Sequence, residues 1–179
     1  MNSLNGNIDT YVLGLLNDID SEKGFFYENI AKLARVENSI ILRHIKKYLE
    51  STNSDQKTTG IEILMRTHPN ANYTLLIPFL EDEDPDVRLS AIQFLCRVKV
   101  FMDDFSLINL AINSLRNDSS PDVRAEVASA LSHANVNLQN VRNALLWAKL
   151  KDEGVSSLGH PVSWIAEKSL ERISRFGMA

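Results

Sequence analysis

Three short segments of the chain repeat one pattern: Glu83-Asp84-Pro85-Asp86-Val87-Arg88-Leu89-Ser90-Ala91, Ser119-Ser120-Pro121-Asp122-Val123-Arg124-Ala125-Glu126-Val127 and, less faithfully, Gly159-His160-Pro161-Val162-Ser163-Trp164-Ile165-Ala166. A period of about 35 to 40 residues lies in the range at which helical pairs stack into arrays. Such an array offers an extended surface rather than a pocket, so the repeat points towards binding before any reactive side chain is weighed.

Punctuation by Pro, Gly and Asx residues divides the chain into segments whose apolar residues have helical spacing. These predict helices near 7–18, 22–35, 37–50, 55–67, 71–81, 85–99, 104–117, 121–133, 138–152 and 161–176, pairing into about five antiparallel hairpins. Pro85 and Pro121 suit a first helical turn, where a missing N–H costs nothing, and each has an acidic neighbour that favours the positive end of the helix dipole. Ser54, and Asp103 or Asp104, are candidate caps. No segment alternates like a strand pair, so the expected class is all-α with no sheet.

Rotation separates two faces on the repeated helices. After Pro85, apolar Val87, Ala91, Phe94, Leu95 and Val98 share a face, and Asp86, Ser90, Gln93 and Arg97 form a polar stripe beside it. After Pro121 the apolar set is Val123, Val127, Ala130 and Leu131, and the polar set Asp122, Glu126, Ser129 and His133. An earlier copy places Lys57 where Arg88 stands and carries Asp55, Thr59, Glu62 and Arg66. The last copy aligns after a one-residue shift; Lys168 and Arg172 continue its stripe and Ile165 interrupts it.

A length of 179 residues suits one domain, with divergent helices over 1–50 and recognisable repeats over 54–176. The net charge of −4 is spread evenly along the chain, which leaves no basic footprint for nucleic acid. A lone cysteine, Cys96, cannot close an internal disulfide, and neither a leader nor a membrane-spanning run is apparent, so a cytoplasmic location is expected.

Candidate chemistry is sparse. His44, His68, His133 and His160 are scattered with no Cys or carboxylate at ligand spacing, so no metal or cofactor is expected. The acidic run Glu81-Asp82-Glu83-Asp84 with Asp86 reads as an answer to a helix dipole and lacks the glycine and alternating ligands of an EF-hand loop. No phosphate loop, nucleophile elbow or HExxH motif is present, and no carboxylate pair invites an acid/base assignment. Trp147 reads as core from its apolar neighbours, Trp164 as either an interface anchor or part of a cap on the last repeat, and Cys96 as a small buried hydrophobe.

The stretch from Leu76 to Leu95, with Asp82 before the turn and Asp84-Pro85-Asp86-Val87-Arg88 after it, resembles a HEAT-type repeat, especially the short variety also found in phycobilisome lyases. The resemblance extends to 110–133 and, in degenerate form, to 158–176 and 54–66, and it is absent from the first fifty residues. It implies a right-handed α-solenoid whose second helices line a concave side. It also implies a structural ladder of Asp and Arg between successive units, by position Asp82 with Arg88 and Asp118 with Arg124.

Together these readings lead to a non-catalytic module that binds another protein through a polar concave surface made of Asp55, Glu62, Arg66, Asp86, Ser90, Gln93, Arg97, Asp122, Glu126, Ser129, His133, Lys168 and Arg172. By analogy of role, the expected partner is a basic toxin domain that a bacterial immunity protein would neutralise. An assembly or regulatory subunit, lyase-like or chaperone-like, is the alternative. A HEAT-like DNA glycosylase is the enzymatic rival, but such clefts are basic whereas these stripes are of mixed sign.

Overall fold

A computed structural model describes residues 2–20, 26–135 and 138–176. Among them are eleven α-helices and no strand: α1 (Asn2–Asp20), α2 (Phe26–Leu33), α3 (Asn38–Leu49), α4 (Ser54–Thr67), α5 (Pro69–Asn72), α6 (Pro85–Leu95), α7 (Lys99–Asp103), α8 (Phe105–Asn117), α9 (Pro121–Leu131), α10 (Leu138–Lys151) and α11 (Val162–Phe176). No helix among the described residues is long and apolar enough to cross a membrane. The chain divides into two compact units, Met1–Tyr73 and Thr74–Ala179, a boundary inside the stretch that the sequence reads as one run of repeats.

In the first unit, α1 packs on α2 and α3, and α4 on α2 and α3. Val12, Leu15, Leu16 and Ile19 of α1 and Ile41, Ile45 and Tyr48 of α3 are buried at the three-and-four spacing that aligns side chains on one helix face. Gly60 lets α4 approach α3 closely, since a Cβ there would lie 2.8 Å from Cβ of Tyr48. Polar ties hold specific helices together. The Tyr48 hydroxyl donates to Asp20 at 2.6 Å, and burial together with that bond pushes the phenol above its ordinary value. Nε2 of His44 lies 2.7 Å from Oδ1 of Asp9; that contact first, and Arg43 at 3.5 Å in addition, hold the Asp9 carboxyl below the usual range. Asn38 and Asn72 exchange two amide hydrogen bonds, of 3.0 and 2.8 Å.

In the second unit, α9 packs against α6, α8 and α11, while α10 packs against α8 and α11. Val87, Leu95, Val123 and Leu131 are all buried, as their shared faces predict. Ala125 and Ala128 are buried as well, because α9 has neighbours on more than one side, and Ile92 of α6 is buried too.

Several boundaries differ from expectation for local reasons. The expected start of the second helix at 22 lies outside the described residues. In place of a helix over 71–81 there is the single-turn α5 followed by a 3₁₀ segment, Tyr73–Glu81, with Pro78 inside it; proline cannot supply the N–H of an α-helical interior. Helix α6 ends at Leu95 rather than near 99, and Val98 turns extended before the unexpected α7, whose Phe101 is completely buried. The cap of α4 is Asn53, which accepts from the Gln56 N–H at 2.9 Å, and not Ser54, which is already helical. Asp104, not Asp103, caps α8 through the N–H groups of Ser106 and Leu107. Trp147 is exposed rather than core: α10 buries the face of Val141, Ala144, Leu145 and Ala148, to which the indole does not belong.

Candidate functional site

The loops that end at the prolines are built alike. Oδ1 of Asp82, Asp118 and Asp152 accepts the backbone N–H two residues on, from Asp84, Ser120 and Gly154 at 3.0, 2.8 and 2.8 Å. Arg88 grips the Asp118 carboxylate with Nε and Nη2 at 2.8 and 2.9 Å, and its Nη1 donates to the backbone carbonyls of Asp82 and Glu83. Arg124 does the same one repeat later, holding Asp152 at 2.7 and 2.9 Å and the carbonyls of Asp118 and Ser119. The carboxylates keep both guanidinium groups above their ordinary values. These pairings correct the positional assignment: each arginine takes its own repeat's backbone and the next repeat's carboxylate, so Arg88 pairs with Asp118 and Arg124 with Asp152. Asp152 escaped the sequence reading, although it stands 34 residues after Asp118 and opens the loop before Pro161.

The second ladder rung shapes the loop of 153–161. A Cβ on Gly154 would fall 2.3 Å from Nη2 of Arg124, so only glycine lets the loop pass so near the rung. An isolated antiparallel bridge between Val155 and Pro161 closes the loop, and Gly159 takes φ +80°, a conformation costly to any side chain. Asp122, at the start of α9, ties the loop down by accepting the N–H and the hydroxyl of Ser157, both at 2.8 Å.

The anchored loop forms one wall of a groove of about 590 Å³ whose other walls are α6, α9 and α11. Of the predicted stripe, Gln93, Asp122, Glu126, Ser129, His133, Lys168 and Arg172 line this groove together. Asp86, Ser90 and Arg97 are not among its lining residues; Asp86 is exposed beside the α6 cap, Ser90 is half-buried, and Arg97 is exposed 5.6 Å from the ring of Phe94. Asp55, Glu62 and Arg66 belong to the first unit, where Glu62 and Arg66 pair at 2.7 Å and the guanidinium lies 5.1 Å from the ring of Tyr27.

Within the groove some of the polar groups have local partners. Lys168 donates to both carboxylate oxygens of Glu171 at 2.9 and 3.1 Å. His133 sits at the end of α9 with Nδ1 3.1 Å from the Ser132 hydroxyl. Trp164 is 47 % exposed and stacks on His160, centroids 5.3 Å apart and planes inclined by 22°. Leu158, at the tip of the loop, is 83 % exposed. The stripe pattern could not reveal Leu158 or His160, because a loop carries no helical period; Trp164, on α11, is the residue that the sequence offers as an interface anchor. Cys96 is half-buried outside the groove lining, and burial pushes its thiol well above the ordinary value. The described residues contain no group of three or more His, Cys, Asp or Glu arranged to hold a metal ion. The chain matches no family model, no curated protein and no solved structure.

Proposed function

We propose that the protein is a HEAT-like, right-handed α-solenoid that works in the cytoplasm as a non-catalytic binding module, with the groove bounded by α6, α9 and α11 as its partner surface. The observation that carries the reading is the convergence of seven separately predicted polar residues on one groove, next to an exposed Trp164 and Leu158. Mixed charge around an aromatic anchor suits recognition of a protein, where charge complementarity sets specificity and association rate and a few aromatic contacts supply much of the affinity. The most specific role we assign is that of a bacterial immunity protein that neutralises a toxin domain.

Affinity capture from the native cell with the wild-type chain and with Glu126→Lys tests the assignment. A toxin domain should be captured by the wild type, and Glu126→Lys should weaken its binding at least tenfold while helical content and melting stay unchanged. Arg97→Glu, outside the groove, should change binding less than threefold. Cells carrying Glu126→Lys should lose protection while still accumulating the protein. Equal capture by wild type and Glu126→Lys would move the site off the groove, and capture of an enzyme or pigment assembly instead of a toxin would favour an accessory-subunit role.

A further inference from the structure

Glu126 differs from the other charges of the groove. It is half-buried on α9, and among the described residues its carboxylate has no hydrogen bond or ion pair. By contrast, Asp122 is engaged by Ser157 and Lys168 by Glu171. A carboxylate that has lost part of its hydration without gaining a partner is one that a cation from a ligand can compensate.

Trp164 lines the same groove and is 47 % exposed; His160 stacks on one face of its indole. Carboxylate and aromatic plane together are the two surfaces a guanidinium exploits, because it forks N–H donors onto the first and stacks on the second. An ammonium group uses the carboxylate well and the plane poorly. Gln93 and Ser129 add acceptors for the remaining N–H groups, and Ile165 and the exposed Leu158 offer apolar cover for a methylene stem.

Resting on the reading of this groove as a partner-binding surface, we infer that Glu126 and Trp164 form the seat of an arginine side chain presented by the partner protein.

A displayed library of dodecapeptides provides the probe. It is selected on the full-length protein and counter-selected on Ser129→Trp, which fills the groove from an exposed position on α9; Gln93→Trp replaces that variant if it melts early. The leading groove-dependent peptide is then measured by calorimetry with its key residue as arginine, lysine or citrulline. The expected result is an arginine in the selected peptides, a loss of at least tenfold with citrulline and a smaller loss with lysine. Glu126→Gln should weaken the arginine form at least tenfold and the citrulline form less than twofold. Groove-dependent peptides that lack arginine, or a citrulline form that binds as well as the arginine form, would overturn the arginine seat and leave the groove reading standing. Lysine equal to arginine would overturn the stacking role of Trp164. A selection that yields no groove-dependent peptide would overturn both.

Discussion

In Thr74–Ala179 one polar device recurs: Asp118 and Asp152 each cap a turn and receive an arginine from the preceding repeat. In Met1–Tyr73, among the described residues, three ties between helices each join different chemistry, a phenol to Asp20, an imidazole to Asp9, and two amides to each other. A repeated tie is shared between successive turns, so one substitution disturbs two of them. A unique tie fails alone. The contrast also explains why a sequence repeat is visible in one unit and absent from the first fifty residues: recurrence of a contact demands recurrence of the residues that make it.

Deletion of 158–179 should have the largest effect on this contrast. It removes α11, which packs on both α9 and α10 and buries Val162, Ala166 and Ile173. The shortened chain should bind hydrophobic dyes and aggregate, and a monomer as stable as the full chain would show that α11 contributes little to the second unit. Asp118→Ala should come next. It leaves Arg88, whose side chain is only 11 % exposed, without its carboxylate, and the loss of one partner from a buried pair costs about 3–5 kcal/mol. Replacing both residues, as Arg88→Met with Asp118→Leu, should cost less than the single change in denaturant unfolding, because no charge is then stranded.

The corresponding test in the first unit is Asn38→Ala. It leaves the buried amide of Asn72 unpaired and should cost about 1–3 kcal/mol, less than the ladder change. A cost equal to that of Asp118→Ala would remove the distinction between shared and unique ties. The smallest effect should be that of Asp9→Asn, read as melting temperature against pH. The folded Asp9 has a lowered pKa, so its contribution is fully present above the ordinary carboxylate value and is lost as pH falls through the lowered folded value. Wild type and variant should therefore differ slightly at neutral pH and converge in acid; a gap that persists in acid would exclude the His44 contact as its source.

Much of the second unit was legible in the sequence. Pro85 and Pro121 begin α6 and α9 as their missing N–H groups require, and the apolar faces through Val87 and Val123 are buried. Seven polar positions on three helices or just after one of them, taken from spacing alone, line one groove. Less legible were the contacts between repeats. The HEAT-type resemblance implies, by position, a pairing of Arg88 with Asp82, yet the side chain reaches the carboxylate of Asp118, 30 residues away. The apolar neighbours of Trp147 place it inside by sequence, but α10 buries the face of Val141, Ala144, Leu145 and Ala148, and the indole lies outside that set.

Local physics accounts for this division. Helical periodicity, proline at a first turn and the even spread of charge are properties of short segments, and the sequence by itself determined an all-helical chain with these faces and these starts. Which carboxylate an arginine grips, how Gly154 admits the loop beside Arg124, and whether Glu126 finds a partner depend on groups far apart in the chain. Tertiary structure alone decided those, because the energy of a buried charge is set by what packing brings within hydrogen-bond distance of it.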